Sequence, residues 1–108
     1  MTAVDAERES DLADLRAAVR DVCADADGPA AVRGLDLAGP GFDTRLWVVL
    51  AQQFGLAGLG LPEHVGGLGG LAEVAAVCEE LGRALLPVPF LSSTVIAGQV
   101  LALSLIHI

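Results

Sequence analysis

Three glutamates and two histidines are the side chains of this sequence best suited to acid–base work, and their spacing limits what they can do. Glu79 and Glu80 look like the carboxylate pair that flanks a reacting bond. Consecutive helical positions, however, point about 100° apart, so the two cannot close on one substrate and read as solvent-facing residues. Glu63 lies in a glycine-rich stretch where a general base is conceivable, but no neighbouring Ser or Cys supplies a nucleophile for it to activate. Accepting bonds from loop amides is the reading its surroundings favour. His64 is a lone histidine in the same stretch, His107 is near the last residue, and neither belongs to an HExxH or clustered ligand pattern. No metal site and no catalytic residue are expected. Cys23 and Cys78 are far apart, without CxxC spacing, and read as buried free thiols.

The element that must position any such group is the run Gly55 to Gly70, GLAGLGLPEHVGGLGG. Flexible linkers are polar, whereas here Leu56, Leu59, Leu61, Val65 and Leu68 interleave with glycines and offer apolar surface to bury. Pro62, Glu63, Gly66, Gly67 and Gly69 therefore predict a packed corner between helices, with glycine supplying positive φ or close backbone approach. A phosphate cradle is not indicated. A P-loop ends in Gly-Lys-Ser/Thr, and all six basic residues here are arginine; a dinucleotide fingerprint follows a strand, and a helical pattern precedes Gly55.

Composition bounds the partners. The net charge of −8 and the absence of a basic stripe argue against nucleic acid. Acidic residues gather between Asp5 and Asp43 and predict a solvated outer face on the first helix. Apolar residues make up 54%, and with the 13 glycines the share is about two-thirds, against roughly 45–50% in typical domains. That surplus predicts apolar faces meant for other domains or subunits, and self-association of the chain alone. The start, MTAVDAERES, has no basic or apolar signal region, so a cytoplasmic protein is expected.

Periodicity predicts an all-α domain, a small bundle of about four helices. Ser10 caps the first, which presents Leu12, Leu15, Val19, Val22, Cys23 and Ala26 on one side until Gly28-Pro29 stops it. After a Gly/Pro-containing stretch, Asp43 caps a second helix with Leu46, Trp47, Val49, Leu50 and Phe54 on its apolar side and Gly55 at its end. The third carries Leu71, Val74, Ala75, Cys78, Leu81, Gly82 and Leu85 on its apolar face, with Glu73 and Glu80 outward and Glu79 paired to Arg83. Pro87 and Pro89 end it, and Ser92 or Ser93 caps a fourth helix through Val95, Ile96 and Val100.

Residues 43–101 resemble the N-terminal helical domain of the FAD-dependent acyl-CoA dehydrogenases. The resemblance rests on ordered motifs: Gly55-Leu56-Ala57-Gly58, then Pro62-Glu63 followed by Gly66-Gly67-Leu68-Gly69, then Glu79-Glu80-Leu81-Gly82-Arg83 running into Pro87-Val88-Pro89. The family commonly has an aromatic where His64-Val65 stands. The resemblance implies FAD-dependent α,β-dehydrogenation of an acyl-CoA thioester, electrons leaving to an acceptor of the electron-transfer flavoprotein type, and a homo-oligomer. The catalytic carboxylate and most flavin contacts belong to further domains of such enzymes, so this chain alone is expected to be inactive and not to hold FAD. Phe90, Leu91 and Ser93 fall where relatives approach the far end of the acyl pocket.

The domain is placed at residues 1–102. The ending LSLIHI departs from the rest: isoleucine occurs three times in the chain, two of them at 106 and 108, so 103–108 is expected to be a non-native tail. Two other readings stand beside the family: a free-standing helical interaction module, and a tail-anchored membrane protein. The stretch after Pro89 approaches the roughly 20 residues of a span, but Ser92, Ser93, Thr94, Gln99 and Ser104 dilute it and no Lys or Arg flanks it.

Overall fold

The computed structural model describes residues 2–35, 38–61 and 69–106. Five α-helices in chain order, α1 (Ala3–Ala26), α2 (Gly28–Arg33), α3 (Thr44–Gln53), α4 (Leu71–Arg83) and α5 (Gly98–Ile106), are joined by a 3-10 turn at Leu56–Gly58 and a π-helical stretch at Leu91–Ala97. Among the described residues there is no β-strand, as the periodicity predicts. The corner residues Pro62, Glu63, His64, Gly66 and Gly67, and His107, lie outside the described residues.

Helix α1 starts two turns before the expected Ser10. Thr2 caps it: its hydroxyl accepts from the Asp5 N–H at 3.2 Å while the Asp5 carboxylate accepts from the Thr2 N–H at 3.3 Å. The Thr2 hydroxyl also donates to the Asp5 carboxylate at 2.9 Å, and this bond, followed by the one from the Thr2 N–H, holds the Asp5 carboxyl below its usual range. The residues expected inward are inward, with Val19 and Cys23 buried, and the α1 acids are exposed. Gly28-Pro29 does not simply stop the helix. Asp27 takes a left-handed conformation (φ 50°) and its side chain accepts from Ala30 N–H, so proline at the first turn of α2 restarts the winding at once.

The second expected helix is found as read. The Asp43 carboxylate accepts from Leu46 N–H at 3.0 Å, Leu50 is fully buried, and Gly55 ends the run with φ 67°. At α4 the Glu73 carboxylate reaches back to the Gly70 N–H at 2.8 Å, so Glu73 caps its own helix and is not a free outward charge. Gly69 just before it has φ +64°, and a Cβ there would come within 3.1 Å of Glu73 Cγ. The helix ends at Arg83, before the prolines, on an unusual turn: Leu85 is left-handed with φ 54°.

Helices α1 and α4 form the main seam and run in the same direction. The α1 start lies beside Gly69–Glu73, and Gly28, just past its end, packs on Ala84. Across the middle, Val19 and Cys23 join Val74, Val77 and Leu81 in a core completed by Leu50, Leu56, Leu59, Leu86 and Phe90. The molecule is only 19 Å thick along its shortest axis, about two helices. Much apolar surface therefore stays open, including Leu71, Leu85, Leu91, Ile96, Val100, Leu101 and Leu103.

Candidate functional site

The α4 sequence carries apolar residues around more of its circumference than one contact can cover, and the structure divides them. The buried side centres on Val77, with Val74, Ala76, Glu80 and Leu81, about one residue step (~100°) from the expected centre at Cys78. Leu71, Ala75, Gly82 and Leu85, expected inward, are exposed, and Cys78 is half-buried.

The cause of the rotation is Glu80. Its side chain is 2% exposed, against the solvent-facing expectation, and sits among three arginines. Arg20 donates to both carboxylate oxygens (Nη2 to Oε1 2.8 Å, Nε to Oε2 3.1 Å), Arg16 donates to Oε1 at 3.3 Å, and Arg83 Nη1 lies 3.9 Å away. The hydrogen bonds from Arg20, aided by the neighbouring cations and opposed by burial, lower the Glu80 carboxyl from its ordinary 4.5 to about 2. Glu79 is exposed and bridges Arg16 (3.3 Å) and Arg83 (2.8 Å), the latter pair as expected from its spacing. All three arginines pair with Glu79 or Glu80 within the seam. Desolvation raises the Cys23 thiol, with Glu80 nearby adding to it, and also raises Cys78, so neither is primed as a nucleophile.

Behind α4 the unburied side opens a groove of about 730 Å³. Its floor includes Leu81, Leu86 and buried Phe90; its rims are Pro29, Val32 and Arg33 on one side and Leu85 and Leu91 on the other. Gly82 and Cys78 keep it wide, since both side chains are small. The strap from Leu86 to Pro89 is fastened at its middle, where Pro87 C=O accepts from the backbone N–H of Asp43 at 2.7 Å. Of the expected pocket residues, Phe90 and Leu91 line the groove. Ser93 is exposed, does not line it, and donates its backbone N–H to Pro89 C=O at 3.0 Å. Pro29 and Val32 are not expected at a groove from sequence, and Cys78, Gly82 and Leu85 are expected on the apolar face of their helix, although the breadth of the apolar arc on α4 signals that two of its sides need partners. Among the described residues no cluster of three or more His, Cys, Asp or Glu side chains could hold a metal ion.

Comparison of the sequence with known proteins finds relatives of this chain. The profile of the acyl-CoA dehydrogenase N-terminal domain matches residues 9–105. The chain belongs to this family. It is similar to "Acyl-CoA dehydrogenase IpdE2" of Mycobacterium tuberculosis, 46% identical over 89 residues, covering 82% of this chain and 28% of that protein. The protein of the same name from Mycolicibacterium smegmatis is 49% identical over 67 residues, 61% of this chain and 22% of its own length. The chain thus spans about a quarter of the length of the curated relatives it matches. No solved structure matches it. All-α architecture is what this family's N-terminal domain implies, and no described helix is long and apolar enough to cross a membrane.

Proposed function

We propose that this chain serves as the N-terminal helical domain of an FAD-dependent acyl-CoA dehydrogenase, an oxidoreductase that introduces an α,β double bond into an acyl-CoA thioester. The family match over residues 9–105, joined to the small share of each relative that the chain spans, carries the reading. In such an enzyme a carboxylate removes the α-proton and flavin takes the β-hydride. Both belong to domains other than this one.

The groove fits an apolar wall better than a flavin seat. A flavin dinucleotide brings a pyrophosphate that needs several converging donors, whereas Arg33 is the single cation lining this groove among the described residues and the remaining walls are hydrocarbon. Phe90 and Leu91 would lie against the acyl chain, where they exclude water; Ser93 would contribute from the following turn. Pro62, Glu63, Gly66, Gly67 and Gly69 would form a shaped corner that returns the chain to α4. Residues 1–102 would constitute the domain and 103–108 a foreign tail, although α5 itself continues to Ile106. The assembled enzyme would be a cytoplasmic homo-oligomer passing electrons to an electron-transfer flavoprotein-type acceptor, without nucleic acid or a membrane span.

The test is to sequence the gene beyond codon 102, express the whole frame, and add acyl-CoAs with an artificial electron acceptor. The expected result is a yellow protein that is bleached by an acyl-CoA and reduces the acceptor. A frame without further domains, or a colourless product indifferent to acyl-CoAs, would favour a free-standing helical module.

A further inference from the structure

Two cavities of almost the same size flank α4, and their linings differ. One, of about 750 Å³ where α1 and α4 begin, mixes Arg8 with Asp5, Glu9 and Glu73, so its charges compensate. The groove of about 730 Å³ behind α4 has hydrocarbon walls and a single charged side chain among the described residues, Arg33, in the last turn of α2. In a chain with 14 acidic residues against six arginines, no described carboxylate lines that groove. Its one charge is uncompensated.

Other arginines show the contrast. Arg16, Arg20 and Arg83 are held by Glu79 and Glu80 in the seam, whereas Arg33 forms no ion pair with any described residue. A cation in the last turn of a helix is favourable with only water around it. What points further is the company Arg33 keeps: it lines the groove beside Pro29 and Val32, and Leu85 and Leu91 form the opposite rim. Ligand sites have this composition, mostly apolar with a few placed polar groups that fix orientation, and commonly enclose about 300–1,000 Å³. A guanidinium offers a planar fork of donors that matches a carboxylate and binds it more strongly than it binds a neutral hydroxyl.

We infer that the groove is a binding site for a lipophilic carboxylate, its hydrocarbon body on Leu81, Leu86 and Phe90 and its carboxylate on the Arg33 guanidinium at the rim. The corollary for the enzyme, an acyl group that carries an acidic function away from its thioester, rests on the reading of the groove as an acyl wall.

Cys78 lines the groove and buried Cys23 does not, so one chain carries both reporter and control. The measurement is the rate at which a neutral maleimide alkylates Cys78 in the full chain, against rising decanoate, decanol or decylammonium, each below its micelle concentration. A net charge of −8 repels anions at long range, so a preference for decanoate reports a local cation. Decanoate should protect Cys78 at about three- to fivefold lower concentration than either of the others, the worth of an ion pair open to water. Arg33→Gln should remove the preference while Arg33→Lys keeps part of it. Gly82→Leu, placed where a Cβ meets open space, should fill the groove and weaken protection by all three. Equal protection by the three compounds, the result were Arg33 taken up by Asp36 three positions on, overturns the proposal. So does a preference that survives Arg33→Gln, decanoate protection indifferent to Gly82→Leu, or a change in Cys78 labelling that Cys23 shares, which marks opening of the whole fold. An extended frame that oxidises no acyl-CoA would remove the corollary alone, and the protection measurement would still decide the site.

Discussion

The two sides of α4 are built from similar sequence and end in opposite states. The side toward α1 buries a carboxylate under three arginines, whereas the side toward the groove leaves Leu71 and Leu85 in solvent, 84% and 62% exposed. Apolarity therefore does not choose the buried side here. What chooses it is pairing. A buried ion cluster contributes specificity to a seam even where its net stabilisation is small, because any other rotation of α4 would strand Glu80 without donors. The open side has no such tie, and its small residues leave room for a ligand or a further domain.

The sharpest way to break this comparison is at Glu80. Glu80→Ala removes the buried acceptor that ties Arg16 and Arg20, themselves 31% and 59% exposed, to the seam and is expected to lower the melting temperature by about 10 °C or more, the largest loss of any single change considered. Exposed Glu79→Ala, one residue away, should cost only a few degrees, since it trims a surface pair. Thermal unfolding followed by circular dichroism checks both. If the two variants melt alike, Glu80 does not set the seam.

Next in size is Gly28→Ala. A Cβ at Gly28 would sit 2.0 Å from the Ala84 carbonyl oxygen and 2.8 Å from that of Leu85, both backbone atoms that cannot swing aside. The end of α1 would have to move off α4, at a cost of about 2 kcal/mol. Urea denaturation measures it. Gly82→Ala faces open space on the groove side of the same helix and should be neutral or slightly stabilising.

Acid separates the two sides as well. The Glu80 carboxyl falls from 4.5 in its ordinary state to about 2 in the fold, so its contribution is complete above pH 4.5 and is lost as pH drops from there toward 2. Wild-type melting temperature should decline over that window more steeply than that of Glu80→Gln, which has no proton to take up at this site. Parallel declines would place the acid sensitivity elsewhere.

These contrasts also show why the sequence yields some elements and withholds others. The Asp43 cap, the Gly55 stop, the inward residues of α1 and the Glu79–Arg83 pair are local: each depends on neighbours within a turn, and each is found as the spacing predicts. Glu80 was expected outward because a lone carboxylate on a helix ordinarily faces water. Its burial depends on Arg16 and Arg20, more than sixty and exactly sixty positions away in the chain respectively, and no local pattern encodes that. The periodicity points to Ser10 as the cap because apolar residues recur only from Leu12; the first two turns of α1 form on a capping box at Thr2 with almost nothing to bury. The groove was half visible. Phe90 and Leu91 came from family resemblance, while the opposite rim at Pro29 and Val32 needed α2, a helix hidden inside what reads as a Gly-Pro stop.

The smallest effect sharpens the comparison from the groove side. Leu85 is left-handed, a conformation that crowds its Cβ against the following carbonyl, yet its side chain is mostly in solvent and returns little by packing. Leu85→Gly removes about 1–2 kcal/mol of that crowding and gives back about 0.5–1 kcal/mol through the greater freedom of glycine in the unfolded chain. The expected net is a gain of about 0.5–1 kcal/mol, or a few degrees in melting temperature. A leucine whose removal stabilises the isolated chain is kept for something other than folding, and the groove wall it forms is the candidate. Were Leu85→Gly to destabilise the chain instead, the wall would be part of the core, and the distinction between a paired side and an open side of α4 would fail.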